Sequence, residues 1–283
     1  MDEALFSHVN RLQVEGGTLE YGVTGKSRAP ALLLLHGIRT TKLLFAPILP
    51  ALTERYRVIA VDIRGHGNSE SQDNSYSFEQ IVTDLIQLLE KEQLEQVTIV
   101  AASFSAVPAQ MLAIREPKRV ASLVLLDGGY YSLGEVPGFN REKAVERLAA
   151  TRFSSVEEAE RQFAERYSTR VMPEGWMREE LLKREDGSYA YRLPREAFSA
   201  YFQEYSVHSQ PELFKQLTCP VLLLLADDSL LSKEEQQFHR QAVAHYQGIV
   251  KQAKVKMIPE AQHLLMVTHP QETVNAIHDF LSK

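Results

Sequence analysis

Short, uninterrupted apolar runs recur toward both ends of the chain, separated by stretches whose apolar residues fall at helical spacing. The runs cover 31–35, 58–61, 97–101, 123–126 and 221–226, with a shorter one at 255–258. A strand with one wet face would alternate apolar and polar positions. Continuous runs predict strands buried on both faces, as in a parallel sheet covered by helices. Segment 17–24 reads as a further, early strand. Apolar residues at 78, 81, 82, 85, 86, 88 and 89 predict a helix over 78–92. Further helices are predicted over 106–115, 232–247 and 271–281. The expected class is α/β, a mostly parallel twisted sheet with helices on both faces.

The pattern changes over 130–214. No apolar run of strand length occurs there, and amphipathic stretches predict helices over 141–150 and 156–167. This segment holds 14 of the 24 aromatic residues. Their concentration predicts a helical insertion whose aromatics are shared between its own core and an apolar pocket. The expected organisation is a core of 1–129 and 215–283 with a helical cap, or lid, at 130–214.

Ligands of such sheets bind beyond the carboxyl ends of the strands. The residues that follow the runs are His36, Asp62, Ser103 and Asp127. Ser103 lies between a buried strand and a helix, with small residues two before it (Ala101) and two after it (Ser105). A sharp strand-to-helix turn presents a nucleophile on a strained backbone and tolerates only small side chains at those two positions. It also turns the first N–H groups of the helix toward a developing oxyanion. His263 follows the last short run, and the order serine, acid, histidine suits a nucleophile, its base and the group that orients the base.

With these residues in place the chain resembles the α/β-hydrolases. The likeness rests on 32–37 (a strand, then His-Gly), 58–69 (VIAVDIRGHGNS), the Ser103 turn, 220–228, and 258–270 (IPEAQH, later HP). The resemblance implies an α/β-hydrolase fold with its cap inserted after the sixth strand. It implies Ser103 as nucleophile, His263 as general base, and the backbone N–H groups of Ile38 and Phe104 as oxyanion donors. The family places its acid a few residues after a glycine at a strand end, where this chain has Ala226. Asp228 fits that place best, and Asp227 and Asp127 remain as alternatives. Asp62 and Arg64 read as structural, as do His36 and His66, and His269 reads as the start of the last helix.

Ala101 and Ser105 replace the family's usual glycines, and Ala102 replaces its common histidine. The Ser-x-Ser-Ala run at 103–106 is similar to a subgroup containing slow hydrolases that double as ligand sensors. The expected function is a cofactor-free serine hydrolase cleaving a small, largely apolar ester or related acyl substrate. The alternatives are a slow-turnover sensor on the same scaffold, or a C–C bond hydrolase. Epoxide hydrolases and haloalkane dehalogenases of this family use aspartate at the nucleophile position, which serine at 103 disfavours.

Charge and composition add exclusions. Net charge is −6, which disfavours nucleic acid as a partner. One cysteine, Cys219, excludes a disulfide within the chain and reads as inert packing. The start of the sequence is acidic with no apolar stretch after it, and the runs are too short to span a bilayer. A cytoplasmic protein acting on a small molecule, with no membrane association, is expected. No metal-ligand spacing and no glycine-rich phosphate motif occurs, so neither a metal nor a cofactor is expected.

Overall fold

The computed structural model describes residues 5–169, 171–207 and 211–282. In chain order the first elements are β1 (His8–Val14), β2 (Gly17–Gly25), β3 (Ala31–Leu35), α1 (Leu49–Thr53), β4 (Arg57–Val61) and β5 (Glu70–Ser71). α2 (Phe78–Lys91), β6 (Val97–Ala102), α3 (Ala106–Arg115) and β7 (Val120–Leu126) follow. An inserted stretch then carries α4 (Arg141–Ala150), α5 (Val156–Tyr167), β8 (Leu181–Lys183), β9 (Tyr189–Tyr191) and α6 (Arg195–Val207). β10 (Val221–Leu225), α7 (Lys233–Ile249), β11 (Ala253–Met257), α8 (Leu265–Thr268) and α9 (Pro270–Leu281) complete the chain. The main sheet runs β1-β2-β4-β3-β6-β7-β10-β11, with β5 paired to β2. The pairs made by β2 with β1, β4 and β5 are antiparallel, and every other pair of this sheet is parallel.

The continuous apolar runs form the inner strands because helices cover both faces of the sheet. Leu33, Leu35, Ile59, Val61, Ile99, Ala101, Leu123 and Leu125 pack to one side, against α2, α3 and Tyr246 of α7. Their neighbours Leu32, Leu34, Val58, Ala60, Val100, Ala102, Val124 and Leu126 pack to the other, against α1, α8 and α9. Alternate residues thus feed two cores, and no polar face is left for a polar residue to occupy. β1 lacks such a run. It is an edge strand with alternating exposure, which is why its pattern gives no continuous apolar signal.

The inserted stretch carries α4, α5 and α6 together with the β8–β9 hairpin. Its strands are only three residues each, too short to leave a period-two pattern in the sequence. The aromatics divide. Phe153 and Trp176 sit in a small core with Val156, Ala159, Met177 and Leu181. Phe198, Tyr201 and Tyr205 of α6 join the main core beside α2 and α3.

Three buried polar anchors fix the loops at the carboxyl edge. The Arg64 guanidinium donates to both oxygens of Asp84 at 2.8 Å, and to the carbonyls of Gly16 and Glu15 at 2.9 and 2.6 Å. Asp62 accepts from the Lys42 backbone at 2.7 Å, and from Lys42 Nζ at 2.9 Å. His36 Nε2 accepts the Ile63 N–H at 2.9 Å, which fixes its proton on Nδ1, and Nδ1 donates to the Gly37 carbonyl at 2.7 Å. His66 stacks between Phe104 and Tyr201. These four residues are structural, as the sequence predicts. Among the described residues, no helix is long and apolar enough to cross a membrane.

Two consequences are measurable. Asp84→Ala removes the buried bidentate partner of Arg64 and leaves only the half-exposed Asp73 carboxylate at 3.6 Å, a change that costs about 3–5 kcal/mol. Urea titration is expected to show a lower midpoint at unchanged slope, and an unfolding free energy within about 0.5 kcal/mol of wild type, roughly the scale of a neutral surface change, refutes this role.

The second concerns acid. Burial pushes the pKa of His36 down to about 3, and burial together with the neighbouring His36 pushes His66 well below the ordinary range. In the unfolded chain both titrate near ~6.5. Below that pH the unfolded state takes up protons that the fold refuses, so stability is complete above about 6.5 and declines as pH falls. The decline approaches about 1.4 kcal/mol per pH unit for each histidine. Unfolding free energies at stepped pH between 7.5 and 5.5 (roughly the window in which free histidine titrates) should show this slope, and His66→Phe should make it shallower. Burial raises the carboxyls of Asp62, Asp84, Glu179 and Glu180, which act in the opposite sense, so the comparison of the two proteins decides: an unchanged slope in folded His66→Phe contradicts the account.

Candidate active site

β6 lies between β3 and β7, so its carboxyl end opens at the middle of the sheet. There the backbone turns sharply. Ser103 takes φ 58°, in the left-handed region, and a single 3-10 turn (Ser103–Ser105) leads directly into α3. The small residue at 105 has a task of its own. Its hydroxyl is fully buried and bonds the carbonyls of Leu35 and Ala102, each at 2.9 Å. Ser105 thereby ties the turn to β3. Gly37 lies alongside, where an added Cβ would stand 3.6 Å from Ser103 Cβ. Among the described residues, the Ile38 N–H donates to no backbone carbonyl.

His263 sits on the loop between β11 and α8. Its Nε2 lies 2.9 Å from Ser103 Oγ, and its Nδ1 lies 2.7 Å from Asp127 Oδ2. Asp127 ends β7, the strand next to β6, and itself takes φ 51°. Its other oxygen, Oδ1, accepts the Ala226 N–H at 3.1 Å, so the end of β10 holds the carboxylate in place. The chain clears the turn only because Gly128 follows, since a Cβ there would meet the Ser103 carbonyl oxygen at 2.3 Å.

The favoured acid of the sequence analysis is corrected by this geometry. Asp228 does not reach His263, and its Oδ2 instead accepts from Arg240 Nε at 3.1 Å. Asp227 does not reach it either. Its Oδ1 caps the Ser229 N–H at 2.8 Å and its Oδ2 accepts the Glu260 N–H at 2.7 Å. The Glu260 N–H holds the Asp227 carboxyl below the usual carboxylate range, and the contact steadies the loop that carries His263. The physical reason is local: the left-handed turn at Asp127, at the end of β7, sets its carboxylate on His263, whereas Asp227 and Asp228 are taken up by Ser229, Glu260 and Arg240. His269 caps the start of α9 and takes no part.

Glu20, Asp62 and Glu179 are the one carboxylate group among the described residues close enough to share a cation. Lys42 Nζ already lies 2.9 Å from Glu20, 2.9 Å from Asp62 and 2.5 Å from Glu179. The ammonium supplies the counter-charge, and the donor set does not fit a metal in addition.

Ser103 and His263 open into a cavity of about 490 Å³, with Gly37, Ile38 and Thr40 on one side. The inserted stretch forms the opposite wall, including Phe139, Phe153, Tyr191 and Phe202. The wall is not uniformly apolar, as its aromatic content suggests. Arg39, Arg147, Arg166 and Glu180 line the same space. Burial pushes the Glu180 carboxyl well above its ordinary range, against the opposing pull of Arg39. A second cavity of about 870 Å³ reaches Asp127 and His263 from the other side, past Tyr130, Tyr131 and Asp228. A third, of about 900 Å³, runs along α5 and touches neither Ser103 nor His263.

Comparison with known proteins agrees with this architecture. A family model described as the alpha/beta hydrolase fold matches residues 30–270. The chain is 26% identical over 265 residues to the sn-1-specific diacylglycerol lipase ABHD11 of Mus musculus, covering 91% of this chain and 83% of that protein. It is 25% identical over 279 residues to the 2-(acetamidomethylene)succinate hydrolase of Mesorhizobium japonicum, covering 97% and 96%. A crystal structure of E-2-(acetamidomethylene)succinate hydrolase superposes with a TM-score of 0.78 at 22% identity, over 98% of this chain and 99% of that one. The chain belongs to the α/β-hydrolase family and is a hydrolase.

Proposed function

We propose that the protein is a cofactor-free serine hydrolase that cleaves a small ester or related acyl substrate through an acyl-enzyme. The observation that carries the reading is the chain of two hydrogen bonds, Ser103 Oγ to His263 Nε2 and His263 Nδ1 to Asp127 Oδ2, at 2.9 and 2.7 Å. Asp127 accepts at Nδ1 and so holds the imidazole proton there. This leaves the Nε2 lone pair facing the serine hydroxyl.

Ser103 Oγ attacks the substrate carbonyl as its proton passes to His263 Nε2. The imidazolium is stabilised by Asp127, and then returns the proton to the departing alcohol, thiol or amine. Water, deprotonated by the same nitrogen, releases the acid and restores the serine. The carbonyl oxygen takes up charge during both attacks. The N–H groups of Ile38 and Phe104 meet it there, each contributing roughly 3–4 kcal/mol to the transition state. Residues 130–214 act as the cap, closing the 490 Å³ cavity over the acyl group.

The relatives named above support an acyl substrate without choosing among linkages. One is named for a glycerolipid ester and the other for an acetamido compound. The bonds from Ser105 to Leu35 and Ala102 give the Ser-x-Ser run a structural purpose, and this weakens the case for a dedicated sensor.

A burst experiment with p-nitrophenyl esters of increasing acyl length tests the reading. Wild type should release one equivalent of nitrophenol rapidly and then turn over. Ser103→Ala and His263→Ala should lose about 10⁴–10⁶-fold in kcat while remaining folded. Asp127→Asn should lose about 10⁴-fold, because an amide there reverses the histidine tautomer. Asp228→Asn should stay within a few-fold of wild type, roughly the margin expected of an exposed ion pair. A folded, active Ser103→Ala protein refutes the mechanism, and a dead Asp228→Asn beside an active Asp127→Asn refutes the acid.

A further inference from the structure

The charge inside the Ser103 cavity is opposite in sign to the charge of the molecule. The chain carries a net −6, yet three arginines and one glutamate line this cavity. The glutamate does not balance them. Glu180 is 4% exposed, its Oε1 has no partner among the described residues, and burial favours its neutral form. None of Arg39, Arg147 and Arg166 has a carboxylate within ion-pair distance among the described residues. Arg39 is the most constrained of the three. It takes φ 67°, its Nη1 donates to Tyr191 Oη at 3.2 Å, and its guanidinium lies 4.9 Å from the centre of the Tyr191 ring. Its Nε is buried and has no acceptor. A buried donor without an acceptor is costly unless a ligand completes it. Arg39 also directly follows Ile38, so whatever it binds lies beside the carbonyl under attack.

Resting on the serine-hydrolase reading, we infer that the substrate is a short acyl compound bearing a carboxylate. Arg39 is its primary anchor, and Arg147 and Arg166 supply the field that draws it in. A planar guanidinium fork held against a tyrosine ring is suited to a carboxylate. The two exposed arginines at the mouth raise the local concentration of an anion that the rest of the surface repels. This reading replaces the largely apolar substrate expected from the aromatic content alone.

The test compares p-nitrophenyl hydrogen glutarate with p-nitrophenyl pentanoate, which has a similar chain without the charge, after subtracting uncatalysed rates. Wild type should favour the anionic ester in kcat/KM by roughly 10- to 100-fold, the scale of hydrogen bonds to a charged group. The preference should shrink with added salt. Arg39→Gln should lower the ratio about tenfold. Arg147→Gln and Arg166→Gln, whose side chains are exposed and whose substitution spares the fold, should lower it less. Binding gives a readout independent of turnover. Glutarate should raise the Tm of the Ser103→Ala protein, glutaramide should not, and Arg39→Gln should remove the shift. A wild-type ratio at or below one, with no glutarate shift, overturns the inference. A glutarate shift in a protein that hydrolyses neither ester sustains the anion site and refutes the serine-hydrolase reading instead.

Discussion

Ser103 holds a left-handed backbone, a conformation that costs a residue with a side chain about 1–3 kcal/mol. The geometry persists because its surroundings allow no other. Ser105 hydroxyl bonds pull the start of the turn onto Leu35, Phe104 is locked among Phe78, His66 and Tyr201, and Gly128 presses on the Ser103 carbonyl. A rigid, doubly covered sheet absorbs that strain. The positions of His263 and Asp127 are then consequences of where neighbouring strands end. The three hydrogen-bonded side chains come from separate places in the sequence, yet all emerge at one edge.

Much of this was legible in the order of residues. Strands buried on both faces leave continuous apolar runs, so the inner strands and α2, α3, α4 and α5 lie within a few residues of their predicted limits. Ser103 and His263 stood out because each follows such a run. What escaped notice had a physical cause. β1 is wet on one side, and the strands of the β8–β9 hairpin are too short to show a period. α6 did carry a legible pattern, with aromatics at 198, 201, 202 and 205 on one face and exposed Arg195, Glu196, Ser199 and Gln203 on the other, and it escaped notice because all its core residues but Ala197 are aromatic.

The acid was the least legible element of the site. Asp127-Gly128-Gly129 reads as an ordinary turn, and Asp227-Asp228 stands at the family's usual place. Only the folded backbone shows that the turn after β7 brings Asp127 to His263 while the end of β10 contributes the Ala226 N–H that holds it. The glycines were nevertheless a signal. Position 128 takes glycine because a Cβ there would stand 2.3 Å from the Ser103 carbonyl oxygen. Composition misled in a similar way about the cavity. Counting aromatics says how much apolar surface a segment carries, but not which charged side chains share the wall.

Glu179 belongs to the inserted stretch, whereas Lys42, which it meets, and Asp62 and Glu20, which share that ammonium, belong to the sheet's loops. The Tyr201 hydroxyl likewise reaches across to the Arg64 carbonyl at 2.8 Å. Two polar rivets therefore fasten the inserted stretch to the sheet's loops, each with a buried partner. Exchange of this stretch for that of another family member is for this reason not a modular operation. A graft lacking an acid at the Glu179 position leaves Lys42 with one counter-charge fewer, so chimeras must inherit both halves of each rivet together.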